Sequence, residues 1–192
     1  MKQPFVLFAL LVSTPVAFTQ RSAKPFESMK DPVTSIMRTV VYRQANNLIA
    51  MAEEMPEEKY GYKPTLQPQS FAQLVIDVTQ TNNSFCAVVG DIPGSELDGP
   101  KQTERKEKLV AALRASFTLC KTALEKLHDN QLGDTVPFSR EGVGPRSAAL
   151  LLLLDMWADS YRMAFVCLRL NGQEPPEKEP EFAPRPTSQG RR

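Results

Sequence analysis

The chain is poor in the residues that most often carry chemistry. Of its 192 residues, one is histidine and three are cysteine, which excludes a centre built on several imidazoles and a relay of histidines moving protons. It has no phosphate-binding G-x-x-x-x-G-K-[ST] loop, no G-x-G-x-x-G, no C-x-x-C and no H-E-x-x-H, so the common nucleotide, dithiol and zinc-protease signatures are all missing. No cofactor is implied by any motif. Charge of one sign is lacking too: 23 basic residues against 22 acidic ones leave +1. The lysines and arginines are spread along the chain, so nucleic acid is not an implied partner, nor is an anionic membrane surface.

What is present is helical periodicity. The most conspicuous stretch runs from Pro145 to Gly172 and predicts the last and most buried helix of the fold. Ala148 to Leu154 is apolar on every side, as expected of a helix enclosed by neighbours. Beyond it, Met156, Ser160, Met163, Cys167 and Leu170 share one face, and Asp155, Asp159, Arg162 and Arg169 gather on the adjoining one. Asn171-Gly172 supplies the stop, with Pro175-Pro176 just beyond.

At the other end, Met1 to Gln20 has the layout of a signal peptide. Lys2 is followed by an apolar run from Pro4 to Val16 and by small residues near Ala17 and Thr19. The run is short of the roughly 20 residues that span a bilayer. Segment 1–19 is therefore expected to be removed and the mature chain exported, to a periplasm or beyond, with no remaining membrane attachment and in an oxidising compartment.

Residues 20–32 form a polar lead-in, ending in Asp31-Pro32, a capping residue followed by proline at the first helical position. Apolar residues at Ile36, Val40, Val41, Leu48, Ala52 and Met55 continue a helix to about Glu54, where Pro56 ends it. Ser70-Phe71-Ala72-Gln73 is a capping box opening a second helix, which Gly90 to Pro100 breaks. A third runs from about Lys101 to His128 with Leu109, Leu113, Phe117, Cys120 and Leu124 on one line. A loop with Gly133, Pro137, Gly142 and Gly144 leads to the fourth, and residues 173–192 form a Pro-rich, charged tail expected to be disordered. Four amphipathic helices without strand-like alternation between them predict an all-α four-helix bundle over 33–172. Such bundles offer long faces for isologous contact, so a homodimer is a natural expectation.

The runs MPEEKYGYKPT (Met55 to Thr65), SFAQLV (Ser70 to Val75), NNSFC (Asn82 to Cys86), SFTLCKTAL (Ser116 to Leu124) and YRMAFVCLRLNGQEPP (Tyr161 to Pro176) resemble, in order and spacing, the DinB/YfiT-like superfamily. The resemblance implies an up-down-down-up bundle. It also implies a divalent metal held by three histidines, one on helix two and an HxxxH pair on helix four, in proteins of which some are thiol-dependent transferases or isomerases.

Matched residue by residue, those three positions hold Asp77, Met156 and Ser160. A carboxylate, a thioether and a hydroxyl make a poor first shell for borderline metals and too small a one for hard cations. No metal site and no catalytic residue is assigned, and the expected role is a binding or structural module. The alternative is a hydrolase- or transferase-type enzyme using Asp77 and Asp159, with Asp155 nearby, but Arg162 lies within reach of Asp159 and a salt-bridged helix face explains the same residues. Cys167 lacks a histidine partner and reads as packing; Tyr60 and Tyr62 read as packing over one bundle end.

The same topology bears on the cysteines. With helices two and three parallel, Cys86 and Cys120 stand at similar heights, about 24 and 28 Å along their helices, and the 11-residue link from Gly90 to Pro100 is long enough to return. A disulfide needs Cα atoms within about 7 Å, whereas bundle axes sit 8–10 Å apart. Two outcomes stay open: a Cys86–Cys120 bond with Cys167 free, or three thiols.

Overall fold

In the structure, a computed structural model, residues 29–64, 69–92, 100–139 and 142–176 are described. The segment 1–19 expected to be a signal peptide, most of the lead-in 20–32 and the tail beyond Pro176 lie outside them. Four helices account for most of the rest: α1 Pro32–Glu54, α2 Phe71–Val89, α3 Lys106–Glu125 and α4 Arg146–Leu170. None of them is long and apolar enough to cross a membrane.

The directions follow from cross-helix contacts. Asn82 Nδ2 donates to Ser116 Oγ (3.0 Å), Cys86 meets Cys120, and Gly90 abuts Ala123. Both numbers rise together, so α2 and α3 are parallel. Trp157 Nε1 donates to Asn82 Oδ1 (2.7 Å), and Arg146 Nη1 to the Val89 carbonyl (2.6 Å), so α4 runs against α2. Arg38 reaches Leu124 while Glu53 pairs with Arg114, so α1 runs against α3. The bundle is up-down-down-up, α1 and α2 each flanked by α3 and α4.

This arrangement sets two helix C-termini side by side at one end, where unpaired carbonyls and the helix dipoles concentrate negative potential. Two arginines answer it. Arg38 donates to the carbonyls of Leu124 (2.8 Å) and Leu127 (2.6 Å). Arg146 is 4% exposed; it donates to Val88 and Val89 and pairs with Asp91 at 2.9 Å.

The core runs the length of the bundle. Trp157, Phe117 and Phe71 are among its largest fully buried side chains, and the Phe117 and Trp157 rings stand 5.9 Å apart across the middle. Tyr60 closes the opposite end, donating to the Ala52 carbonyl (2.5 Å) and meeting Phe71 edge-on at 5.2 Å. Burial pushes its phenol well above the ordinary range, with the nearby Glu107, Glu53 and Glu57 adding to the effect.

Several expectations are corrected. The segment before α4 is not a plain loop but a small antiparallel hairpin, β1 Thr135–Ser139 with β2 Gly142–Pro145. Its strands are too short and too rich in glycine and proline to show an alternating pattern. Helix α3 is shorter than 101–128. Its N-terminal approach is drawn off by Gln102, which donates to Gln73, and its C-terminus is closed by Arg38. The second half of the Ser70 capping box is absent: Ser70 Oγ accepts from the Gln73 N–H (3.2 Å), but the Gln73 side chain turns to Asp77 (2.5 Å). Asp31 occupies the N-cap of α1 without capping it.

The largest difference concerns α4. It buries nine of its 25 residues, against 11 of 19 for α2, so α2 is the more enclosed helix. Within the apolar run, Leu151 is 66% exposed and Leu152 44%. Only α1 and α2 flank α4 closely, so its third side faces outward whatever residues stand there.

Candidate functional site

The three positions at which the family resemblance implies metal ligands lie in the half of the bundle away from the arginine caps. Leu74 shares a groove with Ser160 and Met163, and Asn82 bonds Trp157. This antiparallel register sets Asp77 about level with Ser160, with Met156 one turn away along α4.

The donor set does not fit a metal. Asp77 Oδ1 accepts from Gln73 Nε2, and Gln73 in turn accepts from Gln102, so this carboxylate belongs to a network between α2 and the segment that leads into α3. Ser160 is buried, with its hydroxyl 3.5 Å from the Met156 sulfur. The two remaining positions thus contact each other along α4. One carboxylate, one thioether and one alcohol offer neither the nitrogen and thiolate donors of zinc or nickel nor the oxygen number of calcium. Among the described residues, no three His, Cys, Asp or Glu side chains cluster closely enough to hold an ion.

Asp159 also stays at the surface, in an ion pair with Arg162 one turn on, and Asp155 points to solvent on the same side. Cys167 is 1% exposed, and burial pushes its thiol pKa up, which lowers the thiolate fraction that a nucleophile requires. His128 sits at the far end of the bundle, its Nδ1 2.8 Å from Asp31 Oδ2.

What the site does contain is a groove of about 420 Å³ between the start of α2 and the second half of α4, lined by Gln69, Leu74, Asp159, Ser160, Met163 and Val166 among others. Leu74 and Ser160 are its most buried lining residues, and its other walls mix Met163 and Val166 with the Gln69 amide, the Asp159 carboxylate and the Arg162 guanidinium. Leu74 and Met163 belong to apolar stripes visible in the sequence, but nothing in their spacing marks the gap between the helices that makes a groove of them.

Behind the groove the core is closed. Trp157, with no exposed surface, fills the space between α2 and α4, and its indole N–H is held by Asn82, which also donates to Ser116. Ser116 donates onward to the Leu113 carbonyl (2.8 Å). This chain of bonds ties three helices at mid-height.

No curated protein matches the chain significantly. Among solved structures, it is similar to a DinB-like protein, YjoA, of Bacillus subtilis, with 19% identity and a TM-score of 0.62, over 76% of this chain and 99% of that one. It is also similar to a conserved protein of Enterococcus faecalis, with 18% identity and a TM-score of 0.59, over 74% and 98%. At these identities the likeness speaks for the fold. The sequence itself matches the DinB superfamily over residues 41–157, a span that takes in Asp77, Met156 and the Asn82–Trp157 pair, and on this match the chain belongs to the DinB superfamily.

Proposed function

We propose that this chain is an exported DinB superfamily protein that works without a metal, as a non-catalytic binding or structural module. The carrying observation is the occupancy of the three ligand positions. Asp77 is engaged by Gln73 and Ser160 faces Met156, so each of the three side chains already has a partner within the protein. The groove lined by Leu74, Ser160 and Met163 is the natural place for a ligand that carries both apolar and polar groups. Export is supported by the Lys2 start, the apolar run to Val16 and the small residues at Ala17 and Thr19.

Elemental analysis of the protein purified from its native cell tests the metal. The expected result is no stoichiometric zinc or nickel, with binding gained in the triple variant Asp77→His, Met156→His, Ser160→His. Metal near one equivalent in the wild type, lost on Asp77→Ala, would overturn the reading.

An enzyme using Asp77 and Asp159 is the second reading, favoured by the placement of Asp159 on the groove rim. Both carboxylates already have partners, Gln73 and Arg162, which is why it ranks second. A hydrolytic or transfer activity abolished by both Asp77→Asn and Asp159→Asn, with helicity unchanged, would reverse the order.

A further inference from the structure

The outward side of α4 carries large apolar residues that the bundle leaves in water: Leu151 (66% exposed), Leu152 (44%), Phe165 (36%) and Val166 (45%), with Leu170 (59%) at the helix end beyond this paired set. At 3.6 residues per turn they fall on one broad face together with Asp155 and Arg162. Single exposed leucines need no explanation, but a run of them along one helix face marks an interaction surface.

The order of these residues identifies the occupant. Counted from the point between Ala158 and Asp159, Leu151 and Val166 are equally distant, as are Leu152 and Phe165, and so are Asp155 and Arg162. Each apolar pair is matched by an apolar pair, and an acid is matched by a base. A helix with this symmetry complements itself when turned end for end. Within one chain, Asp155 and Arg162 are about 10 Å apart along the axis; Arg162 pairs with Asp159 instead, and Asp155 has no ion-pair partner among the described residues. Small Ala158 at the centre leaves room for the two backbones to approach.

We infer that the outer face of α4 docks a second copy of this chain, α4 against antiparallel α4, about a two-fold axis beside Ala158. Asp155 of each copy then meets Arg162 of the other, so that Arg162 bridges Asp159 of its own chain and Asp155 of the second. Leu151 and Leu152 cover Phe165 and Val166 of the second copy at both ends of the seam, and because Arg162 and Val166 also line the groove beside Ser160, the second copy forms one wall of that groove. The contact is isologous and closes at two subunits. A different helix would need the same residues in the reverse order, which this face supplies only to itself. The seam is about 22 Å long between its outermost pairs. One helix face buries less than the roughly 800 Å² per partner of a standard interface, so the expected dissociation constant is micromolar.

Sedimentation of the mature chain, without segment 1–19, between about 1 and 100 µM tests this. A reversible dimer is expected. Asp155→Arg and Arg162→Asp, each at an exposed position, are expected to weaken it by about tenfold or more, while the double swap restores it. In otherwise wild-type protein, Ala158→Cys is expected to form an intermolecular disulfide on mild oxidation. A wild-type monomer at the highest concentration overturns the proposal, and so does a dimer that ignores both single swaps or an Ala158→Cys chain that never cross-links.

Discussion

Asp31 and Asp129 cap across to each other, at the start of α1 and of the short 3-10 turn Asp129–Gln131. Asp129 accepts from the backbone N–H groups of Val33 (2.9 Å) and Thr34 (2.8 Å) in the first turn of α1. Asp31 accepts from the Asp129 N–H (3.0 Å) and meets His128. The exchange depends on the backbone of Asp31, whose φ of 53° and ψ of 58° put it in the left-handed region that aspartate tolerates better than most residues. In this geometry its side chain serves the turn instead of its own helix.

The exchange predicts acid sensitivity. The His128 hydrogen bond, then the Asp129 N–H, holds the Asp31 carboxyl below its ordinary value of 3.8. At Asp129, desolvation pushes upward but is outweighed by the N–H groups of Thr34 and Val33, and the net direction is again down. Groups lowered on folding stabilise the protein above their unfolded values and cease to do so as pH falls through the folded ones. Both contributions should therefore be complete at neutral pH and disappear below about pH 4. Urea unfolding against pH should show Asp129→Asn less stable at pH 7, with an acid limb that takes up as much as about one proton fewer on unfolding. His128→Ala should move the Asp31 carboxyl up towards 3.8. An acid limb identical in wild type and Asp129→Asn would remove the cap from this account.

Much of the bundle was legible because its signals are local. Helix α2 starts where Ser70 announces it, and α4 ends at Leu170, with Asn171 as its cap and Gly172 just beyond taking the positive φ of 73° that closes a helix. The parallel course of α2 and α3 followed from family resemblance and link length together. The Asp31–Asp129 exchange was not legible, because it joins residues 98 apart and Asp31 fits the ordinary cap equally well. Gly90 was legible as a breaker only. In the fold a Cβ there would come within 2.7 Å of the Ala123 Cβ, so it also sets how closely two helices approach. The outward side of α4 misled for a different reason: an apolar run is the same string whether a neighbouring helix covers it or not. As for the candidate site, the loss of the histidines was readable residue by residue, but the groove was not, since it is a gap between α2 and α4.

Asn82 makes the second prediction. Its oxygen takes the Trp157 N–H and its amide serves Ser116, all three side chains being buried. Truncation at Asn82→Ala leaves the indole N–H without a partner and opens a small void, which together should cost about 2–4 kcal/mol. Ser116→Ala, which removes one neutral bond, should cost about 1 kcal/mol. A double-mutant cycle between Asn82→Ala and Trp157→Phe should yield a coupling of at least about 0.5 kcal/mol. Strict additivity would mean the bond at mid-height contributes nothing specific.

The third prediction concerns the cysteines. In the structure, Cys86 and Cys120 form a disulfide with Cα atoms 4.9 Å apart, closer than ordinary bundle spacing provides. The approach is local: one turn further on, Gly90 lies against Ala123, where two small residues let α2 and α3 close together. The bond encloses a loop of 34 residues, for which chain entropy gives a stabilisation of about 4 kcal/mol as an upper figure. Mass spectrometry of unreduced, unfolded protein should find one alkylatable cysteine, Cys167, and two more after reduction. In the folded state even Cys167 should react slowly, because it is buried and its thiol pKa is raised. Reduction, or Cys86→Ala with Cys120→Ala, should lower stability in denaturant without abolishing the bundle, since both sulfurs leave apolar neighbours behind. Gly90→Ala should lower stability too, by forcing the α2–α3 seam apart one turn from the bond. Three alkylatable thiols in protein taken from an oxidising compartment would show that the helices stand further apart here than 4.9 Å implies.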